Sequence, residues 1–360
     1  MDHSPAHVPR AERIVDVGGV LDLPRTLGVL QRGRADPALQ IDGGPLGGGA
    51  VGGPSGTPGA GAWLAFRQDL RRPDGAPAPA DEEPVPVLLR LDQLDASHVR
   101  VRAWTAAPDD DGAAAGTAVA EAATLLGAAD DWTACERLLD ARGDEQSAAL
   151  ARVRRRHPGV RLPATGRMVE QLVTVVLEQK VTHDEARRSW RELLRAVGEH
   201  PPGPAPRGML LPPTPTQLRG IPSWTWHRLG VQPPLAATVQ RVAERASALR
   251  RLGAVGPADV DAAAELADRL TAIRGIGAWT AAETLQRSHG AADLVAVGDY
   301  HLAHRVGEAL SGRRADDAGM LALLEPWRGH RQRVVRLIGL SGFQHQRRGP
   351  MLAPEDHRRR

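Results

Sequence analysis

The sequence predicts an α+β protein: a mixed β/α N-terminal domain followed by an all-α domain. Strand-like runs, apolar or alternating, occur at Arg13 to Val17, Val85 to Leu91 and His98 to Trp104, all before residue 105. From Asp131 onward the apolar spacing is helical. The charge divides along the same line. Residues 1–145 carry 13 arginines against 23 acidic residues, net −10, while residues 146–360 carry 33 basic against 20 acidic, net +13. The expected boundaries are 12–130 for the β/α domain, 131–345 for the helical domain and 346–360 for a disordered basic tail.

Composition narrows the function classes. A single cysteine, Cys135, excludes a disulfide framework and a four-cysteine iron–sulfur cluster. No apolar run approaches the roughly 18 residues of a membrane span, and the N-terminus lacks a hydrophobic signal core. The expectation is a cytoplasmic monomer with no membrane partner, nucleoid-associated if bacterial. Lys180 is the only lysine, so arginine carries the remaining positive charge. A basic second half fits a polyanionic partner, and differently solvated surfaces are the plainer alternative.

In chain order, residues 1–11 are expected to be disordered. Gly43 to Gly61 and Arg71 to Pro84 lack periodicity and are expected as loops. Arg152 to His157 is a basic run, either a solvated helix end or a phosphate contact. Gly166 to Gln179 predicts a helix with Val169, Leu172, Val176 and Leu177 on its core face. Pro201 to Pro215 is a proline-rich connection. Trp224 and Trp226 follow, two apart and so on different sides of a helix. Leu235 to Leu252 and Pro257 to Ile273 predict two helices, with Pro257 suited to a first helical position.

The next stretch is the most informative. Leu266, Leu270 and Ile273 end a periodic helix, Arg274-Gly275-Ile276-Gly277 forms a turn, and Ala278 starts another helix. Two glycines tolerate positive φ, and Ile276 between them is placed to plug the groove between the helices. Such a turn bares backbone N–H groups able to hold a phosphate. About twenty residues later, Val297-Gly298-Asp299-Tyr300-His301 places an acid where it can cap the next helix. The helix dipole favours the negative charge on Asp299 there.

Together these motifs resemble the helix-hairpin-helix DNA glycosylase superfamily. Gly275-Ile276-Gly277-Ala278-Trp279-Thr280-Ala281 followed by Asp299-Tyr300 is similar to its DNA-3-methyladenine glycosylase II branch. Leu27 to Pro37 and Ala123 to Trp132 resemble the N-terminal domain of that branch, which implies a fold like half of a TATA-binding protein and no chemistry there. The resemblance implies Asp299 as the catalytic carboxylate and Trp279, Tyr300 and Trp327 as the base pocket. It implies DNA contacts at Arg274, Gly275, Ile276, Gly277 and Thr280, and at the helix end holding Gln179 and Lys180. Gln179 matches the glutamine of the family. Glu178 stands where a glycine is usual, Lys180 where an apolar wedge is expected, and Glu283 where the branch often has an aromatic residue.

A fixed carboxylate beside C1′ stabilises the positive charge that builds on the sugar as an N-glycosidic bond breaks, and it can orient water. A strand-cutting member needs an amine nucleophile just after the turn, where this chain has Trp279. The expected activity is therefore hydrolytic release of alkylated bases, of the 3-methyladenine and 7-methylguanine type, from double-stranded DNA without strand cleavage. No cofactor and no zinc is expected: His301 and His304 lie three apart, but no further ligand cluster accompanies them. Carbonyls of the hairpin turn are able to hold a structural monovalent cation. The alternative is a non-catalytic helix-hairpin-helix module or a damage sensor.

Overall fold

The computed structural model describes residues 8–42, 58–69, 83–106, 112–254 and 259–343. Within them β1 (Ala11–Asp16), β2 (Leu39–Ile41), β3 (Gly61–Gln68), β4 (Val85–Gln93) and β5 (His98–Thr105) form one antiparallel sheet in the order β1-β5-β4-β3-β2. The strands expected around Val15, Leu88 and Val101 are present, and β2 and β3 are additions. Three residues are too few to show a period. Gly61 to Gln68 is buried on both sides, so it carries little polar alternation. The start of the chain also differs from expectation, because Ala11 already pairs with Ala103. Residues 1–7, 43–57, 71–82 and 344–360, where further disorder and loops are expected, lie outside the described residues.

Side chains alternate across the sheet. Val15, Leu64, Phe66, Val87, Leu89, Leu91, Val99 and Val101 point to one face and pack with α1 (Leu23–Leu27) and the alanine-rich α2 (Ala113–Leu125). Ala65, Leu88 and Trp104 point to the other face and meet Met209 and Leu211. The proline-rich connection is thus a structural cover. Gly203 within it has φ +75° and lies so close to the Trp104 ring that a Cβ would collide.

The helical part comprises α3 (Thr133–Ala141), α4 (Glu145–Arg156), α5 (Met168–Val176), α6 (His183–Val197), α7 (Pro215–Arg219), α8 (Ser223–Arg228), α9 (Pro233–Glu244), α10 (Ala246–Leu252), α11 (Val260–Thr271), α12 (Ala278–Ser288), α13 (Leu302–Ser311), α14 (Asp317–Leu324) and α15 (Arg331–Leu340). The helix expected over 235–252 breaks at Arg245 into α9 and α10. Asp259 caps α11 through its side chain, while Pro257 lies outside the described residues. Leu172, Val176 and Leu177 are buried as expected, and Val169 is partly buried against the same cluster.

Two hydrophobic cores divide these helices. One gathers Leu172, Trp190, Trp226, Val239, Leu270, Ile276 and Leu285 from α5, α6, α8, α9, α11 and α12 with their turns. The other gathers Trp132, Leu139, Leu150, Val306, Met320, Trp327 and Leu337 from α3, α4 and the last three helices with their flanks. The connection from α12 to α13 passes from one to the other: Ala291 belongs to the first core and Val295 to the second. Arg154, in the basic run of α4, is used internally: it lies 4.3 Å from the centre of the Trp132 ring and donates to Glu136 and to the carbonyls of His157 and Val160.

His289, at the end of α12, is buried, with Nε2–H donating to the Gly253 carbonyl at 3.0 Å. Burial lowers its pKa below the ordinary 6.5, and burial lowers His157 and His330 likewise. Below that value the unfolded chain binds more protons than the folded one, so stability falls as the pH drops. Urea unfolding should show lower stability at about pH 5.5 than at about pH 7.5, and His289→Gln should flatten that dependence.

Candidate functional site

The site is built on the turn from α11 to α12. Ile273 N–H donates to the Leu270 carbonyl at 3.0 Å and Ile276 N–H to the Ile273 carbonyl at 2.9 Å, which closes the end of α11. Gly275 has φ +97°, and a Cβ on it would collide with the Thr238 side chain. Both conformation and space therefore demand glycine there. Ile276 is buried in the first helical core between the two helices, as its spacing predicts. Gly277 differs from expectation: its φ of −100° suits any residue, and a Cβ would meet nothing within 4 Å. Its smallness is not needed inside the chain. It leaves the exposed start of α12 open to close approach, and no side chain caps that helix.

Two other helices hold the turn from outside. Gln179, just beyond α5, donates Nε2 hydrogens to the Gly275 carbonyl at 2.9 Å and to Thr280 Oγ1 at 2.8 Å. Thr280 is buried. Arg241 on α9 donates Nη1–H to the Arg274 carbonyl at 3.0 Å and to Thr238 Oγ1 at 3.2 Å. Arg274 itself is exposed. Sequence alone gives no sign of Arg241, because its partner is a backbone carbonyl 33 positions away.

The structure accounts for the residues that depart from the family pattern at the end of α5. Glu178 turns inward and pairs with Arg32 of the N-terminal part, Nη1 to Oε1 2.8 Å. Arg32 is buried and also donates to Thr174 Oγ1 at 3.0 Å, while its backbone N–H donates to Asp36 Oδ2 at 2.6 Å. Lys180 then emerges exposed with φ +54°, the one non-glycine residue in the left-handed region among the described residues. Strain of this kind clusters at working sites. Glu283, in place of an aromatic residue, pairs with Arg287, whose Nε–H donates to the Val29 carbonyl at 3.2 Å.

The acid motif reaches the same place from the other core. Gly298 has φ +91° and its N–H donates to Asp317 Oδ2 at 3.1 Å. Asp299 follows, half-buried. Its Oδ1 accepts from the N–H groups of His301 and Leu302, both at 2.8 Å, so it caps α13 although His301 is the residue next to the helix. Its Oδ2 faces Nε1–H of the half-buried Trp279 at 3.4 Å. The carboxylate and the indole, twenty residues apart, therefore meet beside the open end of α12.

The other expected pocket aromatics are placed differently. Tyr300 is 75% exposed and stands edge-on to the His301 ring. Trp327 is 3% exposed in the second helical core, with the Arg142 guanidinium 5.1 Å from its ring centre. In this conformation it packs the core behind the α13 end of the site and offers no face to a ligand. Trp226 is also buried and Trp224 exposed. His304 Nδ1–H donates to the Ala315 carbonyl at 3.0 Å, and no cluster of three potential metal ligands occurs among the described residues.

No protein-family model matches this chain, and no curated protein matches its sequence. Solved structures do match. The 3-methyladenine DNA-glycosylase from Archaeoglobus fulgidus superposes with a TM-score of 0.66 at 14% identity, over 92% of this chain and 99% of that one. The 8-oxoguanine glycosylase/lyase of Clostridium acetobutylicum in its apo form gives 0.53 at 10% identity, over 78% of this chain and 96% of that one. At these identities the likeness is one of fold, and the fold is that of DNA glycosylases.

Glu178→Ala should leave the Arg32 guanidinium buried without its carboxylate and destabilise the protein by about 3 kcal/mol, read as a lowered urea midpoint. The double variant Arg32→Met with Glu178→Leu should recover most of that loss.

Proposed function

We propose that this chain is a monofunctional DNA glycosylase that extrudes alkylated bases from double-stranded DNA and releases them by hydrolysis, as in base-excision repair. The observation that carries this reading is the meeting of Asp299 Oδ2 with the Trp279 indole beside the start of α12. One carboxylate oxygen is spent on capping α13. The other remains for chemistry.

In this reading the α12 amide groups and the open ground above Gly277 receive a phosphate of the DNA backbone. The +13 charge of residues 146–360 supplies the attraction. The target base leaves the stack and lies against Trp279. A base alkylated at N3 or N7 carries positive charge, which an indole face attracts. As the C1′–N bond breaks, its electron pair leaves with the base and positive charge grows on the sugar. Asp299 Oδ2 offsets that charge and takes the proton of a water whose oxygen bonds to C1′, leaving an abasic site. The position after the turn, where a strand-cutting enzyme needs its amine, holds Trp279, so no strand cleavage follows. Lys180, exposed next to the clamp residue Gln179, would contact the DNA backbone.

A second reading, a non-catalytic DNA-binding protein or damage sensor, is favoured by one observation: Asp299 Oδ1 makes two ordinary capping bonds, as a purely structural aspartate would.

Duplex DNA treated with a methylating agent separates the two. Wild type should release 3-methyladenine or 7-methylguanine, detected as free base and as alkali-labile abasic sites. Asp299→Asn, which keeps the capping oxygen, should lower the release rate about a hundredfold or more with binding retained. Tight binding with no release from methylated, deaminated or etheno-adduct DNA would leave the binding reading standing. Trp279→Ala should weaken release of cationic bases by about tenfold while unfolding normally.

A further inference from the structure

The open side of α12 carries more than the indole. From Trp279 to Ser288 the helix is buried except at Trp279, Glu283, Gln286 and Arg287, which are half-buried. Trp279, Glu283 and Arg287 are spaced by four, so their side chains follow one another along one side of the helix. Helical side chains lean toward the N-terminus, which carries the Glu283 carboxyl group toward the turn that Trp279 occupies. Arg287 Nη1 donates to the Glu283 backbone carbonyl at 2.8 Å and to its Oε2, while Arg287 Nε–H donates to the Val29 carbonyl. Oε2 is thus spent on an anchored guanidinium. Among the described residues no group donates to Glu283 Oε1, and that oxygen is not sealed from solvent.

We propose that Glu283 is a specificity-determining residue, its free Oε1 accepting a hydrogen bond from the exocyclic amine of the extruded purine. This rests on the glycosylase reading above and names the lesions that the site prefers: alkylated purines that keep their amine. With C1′ beside Asp299 and the base plane against Trp279, the far edge of a purine can extend along the open side of α12. Four residues of helix rise about 6 Å, comparable to the span from the glycosidic nitrogen of a purine to its amine. Alkylation at N3 or N7 spreads positive charge onto that amine, and a carboxylate acceptor then forms a stronger, charge-assisted bond. An aromatic residue at 283 would offer stacking alone and treat bases with and without the amine alike. A lesion whose amine is closed into a ring leaves Oε1 covered with no donor, which a hydrogen-bonding site rejects.

The test measures single-turnover release of two bases from duplex DNA. One is 3-methyladenine, which has the amine; the other is ethenoadenine, whose corresponding nitrogen carries no hydrogen. Glu283→Gln has one side-chain oxygen, which Arg287 retains, so its NH2 group would meet the base amine donor to donor. That variant should release 3-methyladenine about tenfold more slowly, with ethenoadenine release unchanged or faster. Its affinity for a duplex holding an abasic site, which has no base to read, should match wild type and shows the variant to be folded. Unchanged release of 3-methyladenine, or an equal fall for both bases, would overturn the proposal. Calorimetric titration of the abasic complex with free adenine and with purine, which lacks the amine, gives a second readout on wild type itself. Adenine should bind about tenfold more tightly than purine, and Glu283→Gln should erase the difference. Equal affinities in wild type would also overturn the proposal. Wild type that releases no base from any duplex would instead sink the glycosylase reading, and the adenine titration would then decide the role of Glu283 by itself.

Discussion

A buried charge must be paired, and that requirement organises this molecule. Arg32 comes from the segment between α1 and β2, and burial pushes its guanidinium below the ordinary pKa. Its partner, Glu178, lies at the end of α5 in the helical part. Once Glu178 is drawn inward, the next residue, Gln179, is delivered to the hairpin carbonyl and to Thr280. The following residue, Lys180, is forced outward in a left-handed conformation. One ion pair thus sets the geometry of three successive residues, two of which face the proposed DNA surface. Asp130 repeats the device elsewhere. It joins Arg333 of α15 to the Leu162 N–H and the Trp132 indole across the molecule.

Much of this was legible in the sequence wherever the signal was local. Three of the strands, β1, β4 and β5, the helix-turn-helix at 266–281 and the capping acid each rest on spacing or on one residue type, and each is present. The plug role of Ile276 follows from the same local logic. The expectation for Gly277 failed because only Gly275 of the pair takes a positive φ, and the spelling Gly-Ile-Gly does not say which of its two glycines is the strained one. Trp327 was expected at the pocket by its match to a pattern, yet a tryptophan three-hundredths exposed is a core residue whatever its neighbours spell. β3 was missed because a strand buried on both faces has no polar face to reveal it.

What could not be read at all is non-local. Arg241 and Arg32 act through partners 33 and 146 positions away, and nothing in their own neighbourhoods distinguishes them from the many other arginines. In a chain with one lysine, arginine does every job that needs a cation, from covering a core tryptophan to holding a turn. The departures from the family pattern were the better guide. Glu178, out of place as a motif residue, is in place as the carboxylate Arg32 requires.

The two helical cores bear on how the site behaves over time. Trp279 rides on α12, which belongs to the first core, whereas Asp299 opens α13, which belongs to the second. The 3.4 Å gap between indole and carboxylate is therefore also a measure of the distance between two packed bodies. Close-packed cores resist internal deformation, so the contact is set by how the two cores are placed. Moving one core by a fraction of an ångström against the other, with every contact inside each intact, would part the carboxylate from the indole.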